Sequence, residues 1–396
     1  MVKDKSGRLT ITEHFKLLKD PRIERTKKHS LHDILVLTIC AVIGGADDWT
    51  EVERFAHAKL KWFKSFLDLR NGIPSHDTLG RVFAALDTEA LMRCFVEWVS
   101  SLTKVAVGDV VAIDGKTLRG SFDTASKKAA IHMVSAWATK QHLVLGQIKT
   151  EEKSNEITAI PRLLDLLDVS GCIVTIDAMG CQREIAKKIV EKGADYVLSL
   201  KGNHETVHEE VRTFFEWARR EKFKDVAHDY FESTDGNHGR IEIRRYWISP
   251  EIGWFTDTNR WSGLRSFGMV ESERIVGEKT SVEQRYFLCS LPGDSAKQFA
   301  GAVRQHWSVE NNLHWVLDVA FREDQSRVRK DHAPENFAIL RHIALNLLKQ
   351  ETTISSLKGR RHVAGWNDNY LLKVLGVIDS FTLKPSRIVA TSLGKN

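Results

Sequence analysis

Between Leu31 and Trp98 the apolar residues recur at helical spacing, and beyond Asp109 they shift to the short continuous or alternating runs of strands. Helices are predicted over Leu31 to Ile43, Trp49 to Phe66 and Thr78 to Trp98. The Gly44-Gly45 pair and the Asn71-Gly72-Ile73-Pro74 stretch break the chain between them. This makes residues 1–105 a small all-helical domain.

The following residues read as strands at Val110 to Ile113, Ile131 to Ala138 and His142 to Ile148, the last two joined by the polar Thr139-Lys140-Gln141 turn. Ser154-Asn155-Glu156 opens an amphipathic helix to Leu167. A buried strand Cys172 to Ile176, a helix Arg183 to Lys192 and an apolar strand Tyr196 to Leu200 complete the series. Three strands, helix, strand, helix, strand is the order of a ribonuclease H-like sheet, an α/β fold. Its parallel strands are expected to be the three continuous apolar runs, because burial on both faces demands them. A helix around Glu205 to Arg220 follows. The stretch from about 228 to 290 returns to strands at Tyr230-Phe231, Ile241 to Ile248, Gly268 to Ile275 and Gln284 to Leu288, and reads as a β insertion. Ser295 and Gln298 form a capping-box pattern for a helix running past Glu310 toward Ala320, and the chain stays helical to about Leu375. Residues 106–396 are therefore expected to form one catalytic domain.

Charge sharpens this outline only modestly. A net charge of +6 and a pI of about 8.9 suit a polyanionic partner without establishing one. The five cysteines, Cys40, Cys94, Cys172, Cys181 and Cys289, contain no C-x-x-C pair and read as reduced thiols. The amino terminus lacks an apolar signal core. The longest apolar run, Ile34 to Ala46, is shorter than the roughly 20 residues of a membrane helix, so a cytoplasmic protein is expected.

Three acids stand where chemistry would need them. Asp114 follows the strand Val110 to Ile113, and Asp177 follows Val174-Thr175-Ile176. Sites in open sheets form at the carboxyl ends of strands, so neighbouring parallel strands would bring both carboxylates to one cation. Glu310 is the third. Its spacing of three residues from Trp307 and from Leu313 puts it on the inward helix face, where a carboxylate needs a partner or a metal. Magnesium, with manganese as a substitute, accepts oxygen ligands of this kind. His306 and His314 flank Glu310 at four residues each way without the paired histidines of a zinc motif, and serve as phosphate contacts or core residues.

Several cationic groups accompany the acids as candidate DNA contacts: Lys116 and Arg119 beside Asp114, Lys201 and Asn203 after the last sheet strand, and His238 and Arg240 at a hairpin of the insertion. Trp247, Trp254 and Trp261 follow that hairpin, and either pack in the core or stack on an unpaired base. The amino-terminal helices, preceded by Arg22, Arg25, Lys27 and Lys28, either grip DNA ends or only brace the catalytic domain.

These motifs are familiar as a set. His32-Asp33-Ile34-Leu35, Ile73-Pro74-Ser75-His76-Asp77-Thr78 and Ala112-Ile113-Asp114-Gly115-Lys116-Thr117 are joined by Glu152-Lys153-Ser154-Asn155-Glu156, Asp177-Ala178-Met179-Gly180-Cys181-Gln182 and Lys201-Gly202-Asn203. His238-Gly239-Arg240 and His306-Trp307-Ser308-Val309-Glu310-Asn311 complete them. Over nearly its whole length the chain resembles the H-repeat-associated group of insertion-sequence DDE transposases. The resemblance implies that Asp114, Asp177 and Glu310 are catalytic and hold magnesium. It further implies that the protein cuts element ends and joins the freed 3′ hydroxyl to target DNA, and that a homodimer brings two ends of double-stranded DNA together. In the wider family Tyr, Arg and Lys surround the third acid, and here those positions hold Val303, His306 and Leu317. Asp318, Glu323 and Asp324 therefore stay open as alternatives to Glu310. A nuclease of the same fold that does not rejoin strands, and a DNA-binding protein without catalysis, are the competing readings. Loss of an acid would mark the latter, and all three acids are present.

Overall fold

A computed structural model describes residues 11–122, 128–151, 155–237 and 239–376. Nine strands form one mixed sheet: β1 (Val110–Thr117), β2 (His132–Ala138), β3 (Leu143–Lys149), β4 (Ile173–Ile176), β5 (Asp195–Leu200), β6 (Asp229–Asn237), β7 (Arg240–Ser249), β8 (Ser266–Val276) and β9 (Lys279–Cys289). Their spatial order is β3-β2-β1-β4-β5-β9-β8-β7-β6. The three apolar runs β1, β4 and β5 are mutually parallel, and β2 and β3 return antiparallel beside β1. This is the ribonuclease H-like core expected from the order of elements.

The insertion does not form a separate layer. β9 pairs antiparallel with β5 through Val197↔Cys289 to Leu200↔Tyr286, so the insertion's meander extends the catalytic sheet. The helix Ala296–His306 lies on one face of this continuous sheet, packing Ala296, Phe299, Ala300 and Val303 against Val110, Ile173, Val197 and Phe287. Its amino terminus differs from the expected capping box. Ser295 Oγ donates to the Pro292 carbonyl, and Asp229 at the start of β6 accepts from Ala296 N at 2.9 Å instead. A carboxylate at a helix amino terminus also meets the positive end of the dipole.

The expected helix Thr78 to Trp98 is two helices, His76–Ala85 and Thr88–Leu102. Asp87 accepts from Glu89 N and Ala90 N, and so starts a new helix one residue after Leu86. Trp49 to Phe66 divides likewise into Trp49–Ala58 and Leu60–Phe63. These helices are tied to the rest by Ala333–Gln350, in which every residue from Ala333 to Leu348 is buried. Asn336 Nδ2 donates to the carbonyls of Phe83 and Leu86. Asn346 pairs with both backbone groups of Val144, satisfying the outer edge of β3. The cysteines are buried free thiols. Among the described residues no helix is long and apolar enough to cross a membrane.

Candidate active site

Parallel pairing between β1 and β4 ends at Ile113↔Ile176, so Asp114 and Asp177 are the first residues beyond it on adjacent strands. Alternation along the strands puts Asp114 on the face of Val110, and Asp177 on the face of Ile173 and Thr175. This is the face covered by Ala296–His306. Both carboxylates are partly fixed by backbone. Asp114 accepts from Gly115 N at 3.0 Å, and Asp177 accepts from Met179 N at 3.0 Å within the turn that follows β4.

The third acid arrives by a local departure from α-helical geometry. Residues Glu310–His314 form a π turn, with Trp315 N donating to the Glu310 carbonyl five residues back. Such turns widen a helix by one residue and recur at functional sites. The turn swings Glu310 out of the inward face on which simple helical spacing puts it: its side chain is 63% exposed, while Leu313 is fully buried. Glu310 then faces the cleft, where His314 Nδ1 lies 3.2 Å from Glu310 Oε2 and 3.5 Å from Asp114 Oδ2.

Asp114, Glu310 and His314 each offer a ligand atom, and these atoms lie within 4.8 Å of one another. Burial, then the neighbouring charge of Asp177, raises the Asp114 carboxyl to about 7. Burial, then the charge of Glu156, raises Asp177 as well. Carboxylates repelling one another in a partly desolvated cleft are a donor set that a divalent cation would relieve. Burial holds His314 below the usual imidazole range, in the neutral form that can bind a metal, and its buried Nε2 has no hydrogen-bond partner.

A cavity of about 490 Å³ opens on these acids, with Asp114, Asp177, Lys201, Arg285, His306 and Glu310 among its lining. His306 shares a 3.0 Å hydrogen bond with the Thr175 hydroxyl on β4, and burial lowers it to about 4. Asn203 does not reach into the cavity as a free amide, because its Nδ2 donates to the Ala178 carbonyl and braces the turn after Asp177. Lys116, expected on the DNA backbone, is turned into a cluster of Asp318, Glu323 and Asp324. Those three acids, open as alternatives to Glu310, gather around the Lys116 ammonium. Arg240 sits exposed at the β6–β7 hairpin with Glu242 at 3.0 Å, and His238 lies outside the described residues.

Of the insertion's tryptophans, Trp247 and Trp261 are buried, the core alternative, while Trp254 is partly exposed and stacks on Phe214 with ring centroids 5.0 Å apart. Trp307 is the exposed aromatic of the cavity lining, beside the buried Phe287; it is half exposed and has the Arg285 guanidinium 5.2 Å from its ring. Glu156 adds a further acid beside Asp114 and Asp177. It hydrogen-bonds His132 at 2.8 Å against Gly115, where a Cβ would collide with both side chains. In the sequence Glu156 is marked by its place in Glu152-Lys153-Ser154-Asn155-Glu156, and Trp307 by its place beside His306.

The family described as the transposase DDE domain matches residues 106–347, and its associated amino-terminal domain matches residues 12–99. YncI of Escherichia coli O157:H7, which carries a transposase name, is 43% identical over 92% of this chain and 94% of its own length. YhhI of Escherichia coli K12, named as H repeat-associated, is 41% identical over 92% of this chain and 97% of its own. With a ribonuclease H-like sheet, acids converging on one cleft and these matches along most of its length, the chain belongs to the DDE transposases, enzymes that cut and join DNA with a divalent metal ion.

Proposed function

We propose that this transposase holds its metal on Asp114, Asp177 and Glu310 and uses it to cut DNA at the inverted-repeat ends of its own insertion sequence, joining the freed 3′ hydroxyl to target DNA. The observation that carries the reading is the convergence of two adjacent strand ends and one widened helical turn on a single cavity. Magnesium is the ion proposed, with manganese a working substitute, because the donors are hard carboxylate oxygens. When bound, the ion supplies charge neutralisation at the reacting phosphate and polarises the attacking oxygen.

The chain's own groups do the positioning. Lys201 and Arg285 bring positive charge to the cavity wall and hold non-bridging phosphate oxygens. His306 is neutral at cellular pH, so it offers a hydrogen bond without adding charge. Trp307 presents a ring face beside Glu310 on which an unpaired base can stack. His238 and Arg240 at the insertion hairpin, and the helices of residues 1–105, extend the grip to the flanking duplex. Two ends must be held together for joining, so the working form is a homodimer, acting in the cytoplasm on nucleoid DNA.

Affinity for duplex DNA is expected to fall steeply with salt, with a slope in log K against log salt of about −0.9 for each phosphate neutralised. Fluorescence anisotropy of a labelled duplex over a salt series measures it. A binding constant flat in salt contradicts a phosphate-gripping partner surface.

A further inference from the structure

The wide turn at Glu310 lies between two helical segments, each fastened to a different strand. Upstream, His306 is held by Thr175 on β4, and Gln305 Oε1 accepts from the Thr139 hydroxyl at 2.6 Å. Downstream, the helix Trp315–Phe321 faces β1. On that side Asp114 stands opposite His314, and Lys116 stands opposite Asp318. Two residues along a strand advance roughly 6.6 Å and four along a helix about 6 Å. The two contacts therefore form matched rungs between strand and helix. Asp114 and Lys116 share one strand face, so both rungs point the same way.

We propose that Lys116 is a positioning residue for the metal site. Its ammonium clamps the helix of the third acid to β1, in the register that sets Glu310 and His314 against Asp114. The inference rests on the metal-site reading above. The clamp is anchored on a buried acid. Lys116 contacts Asp318 and lies 3.0 Å from Glu323, whose side chain is 2% exposed and which also lies 3.7 Å from the buried Arg341 on the core helix. Glu323 follows Arg322, which ends the helix in a left-handed conformation with φ of 50° and turns the chain back toward β1. Without the ammonium, the Asp114–His314 contact is the polar rung that remains between β1 and this helix, while Leu317, Phe321 and the Arg361–Ala320 bond hold the helix to the core without fixing its register on the strand. Among the described residues, the exposed Glu310 is held by its contact with His314.

Mn2+ binding to the DNA-free protein, followed by electron paramagnetic resonance, tests the clamp without depending on catalysis. Groups that orient metal ligands from behind change affinity by roughly 10- to 100-fold when removed. Lys116→Met is therefore expected to weaken the tightest Mn2+ site by about tenfold or more, with Lys116→Arg restoring most of it. Because Lys116→Met leaves Glu323 buried without its cation, the double variant Lys116→Met/Glu323→Gln, which removes both charges, guards against simple unfolding and should show the same weakening. If the folded double variant binds Mn2+ as the parent does, the clamp is wrong. If Lys116→Met instead keeps its Mn2+ affinity and lowers the salt slope of DNA binding by about one phosphate contact, Lys116 is a DNA contact and not a clamp. A parent protein that binds no Mn2+ overturns the metal-site reading, and the clamp with it.

Discussion

Glu310→Gln is expected to fold and to bind duplex DNA like the parent while cleaving it at least roughly a hundred- to a thousandfold more slowly, the scale on which loss of one transition-state charge contact acts. The side chain is 63% exposed, so the substitution removes no packing. It keeps the shape and hydrogen-bonding reach of glutamate, and its helix propensity is close. What it loses is the negative charge facing Asp114 across the cleft. Asp318→Asn is the informative contrast. Asp318 points to Lys116, and Glu323 remains to hold that ammonium, so the variant should require a few-fold more metal and still cut. Cleavage of an end-labelled duplex in magnesium, with melting curves as the folding control, separates the two. If Glu310→Gln cuts normally and a folded Asp318→Asn does not, the third acid lies two turns further along the helix.

The largest loss of stability is expected from Arg361→Met. Arg361 is buried, and its guanidinium donates to the Val42 carbonyl at 2.9 Å, to Asp47 at 2.9 Å and to the Ala320 carbonyl, with the Phe321 ring 4.3 Å beneath it. One side chain thus joins the end of the amino-terminal helix Leu31–Ile43 to the end of the helix that follows the third acid. Methionine fills part of the space but leaves a carboxylate and several carbonyls without their donor. Breaking a buried pair from one side costs about 3–5 kcal/mol, so thermal melting should begin several degrees lower. Arg361→Lys keeps the charge and loses the fork that serves three acceptors, and should fall between. A melting curve for Arg361→Met that overlays the parent's would remove Arg361 from this role.

What the chain discloses in advance is what depends on local pattern. β1, β4 and β5 are continuous apolar runs because both faces are covered, and Asp114 and Asp177 are polar residues placed where those runs stop. The bounds of the insertion follow from turn residues and alternation. Other features depend on partners distant in sequence. That β9 would pair with β5, extending the sheet, is not written in either strand alone. The cap of Ala296 comes from Asp229, 67 residues earlier. Lys116 finds Asp318 across 202 residues, which is why a cation beside a candidate catalytic acid reads as a DNA contact when only neighbours are considered. Glu310 stands out by motif, but its exposure depends on a π turn that regular helical periodicity cannot anticipate. The insertion's tryptophans read as core or platform, and the burial of Trp247 and Trp261 against Phe223 and His204 decides those two for the core, with Trp254 partly exposed on Phe214.

The central claim is that the cleft of Asp114, Asp177 and Glu310 performs metal-dependent cutting and joining of DNA. The most direct measurement incubates the protein with a labelled duplex carrying the repeats that flank its gene and with a supercoiled target plasmid, in magnesium, and resolves the products by size. The account predicts a cleaved end bearing a 3′ hydroxyl, followed by label joined covalently to the plasmid, with both products lost on chelation and in Asp177→Asn. Products that persist in either control would contradict the assigned site, and cleavage that never leads to joined label would contradict transposition in favour of simple hydrolysis.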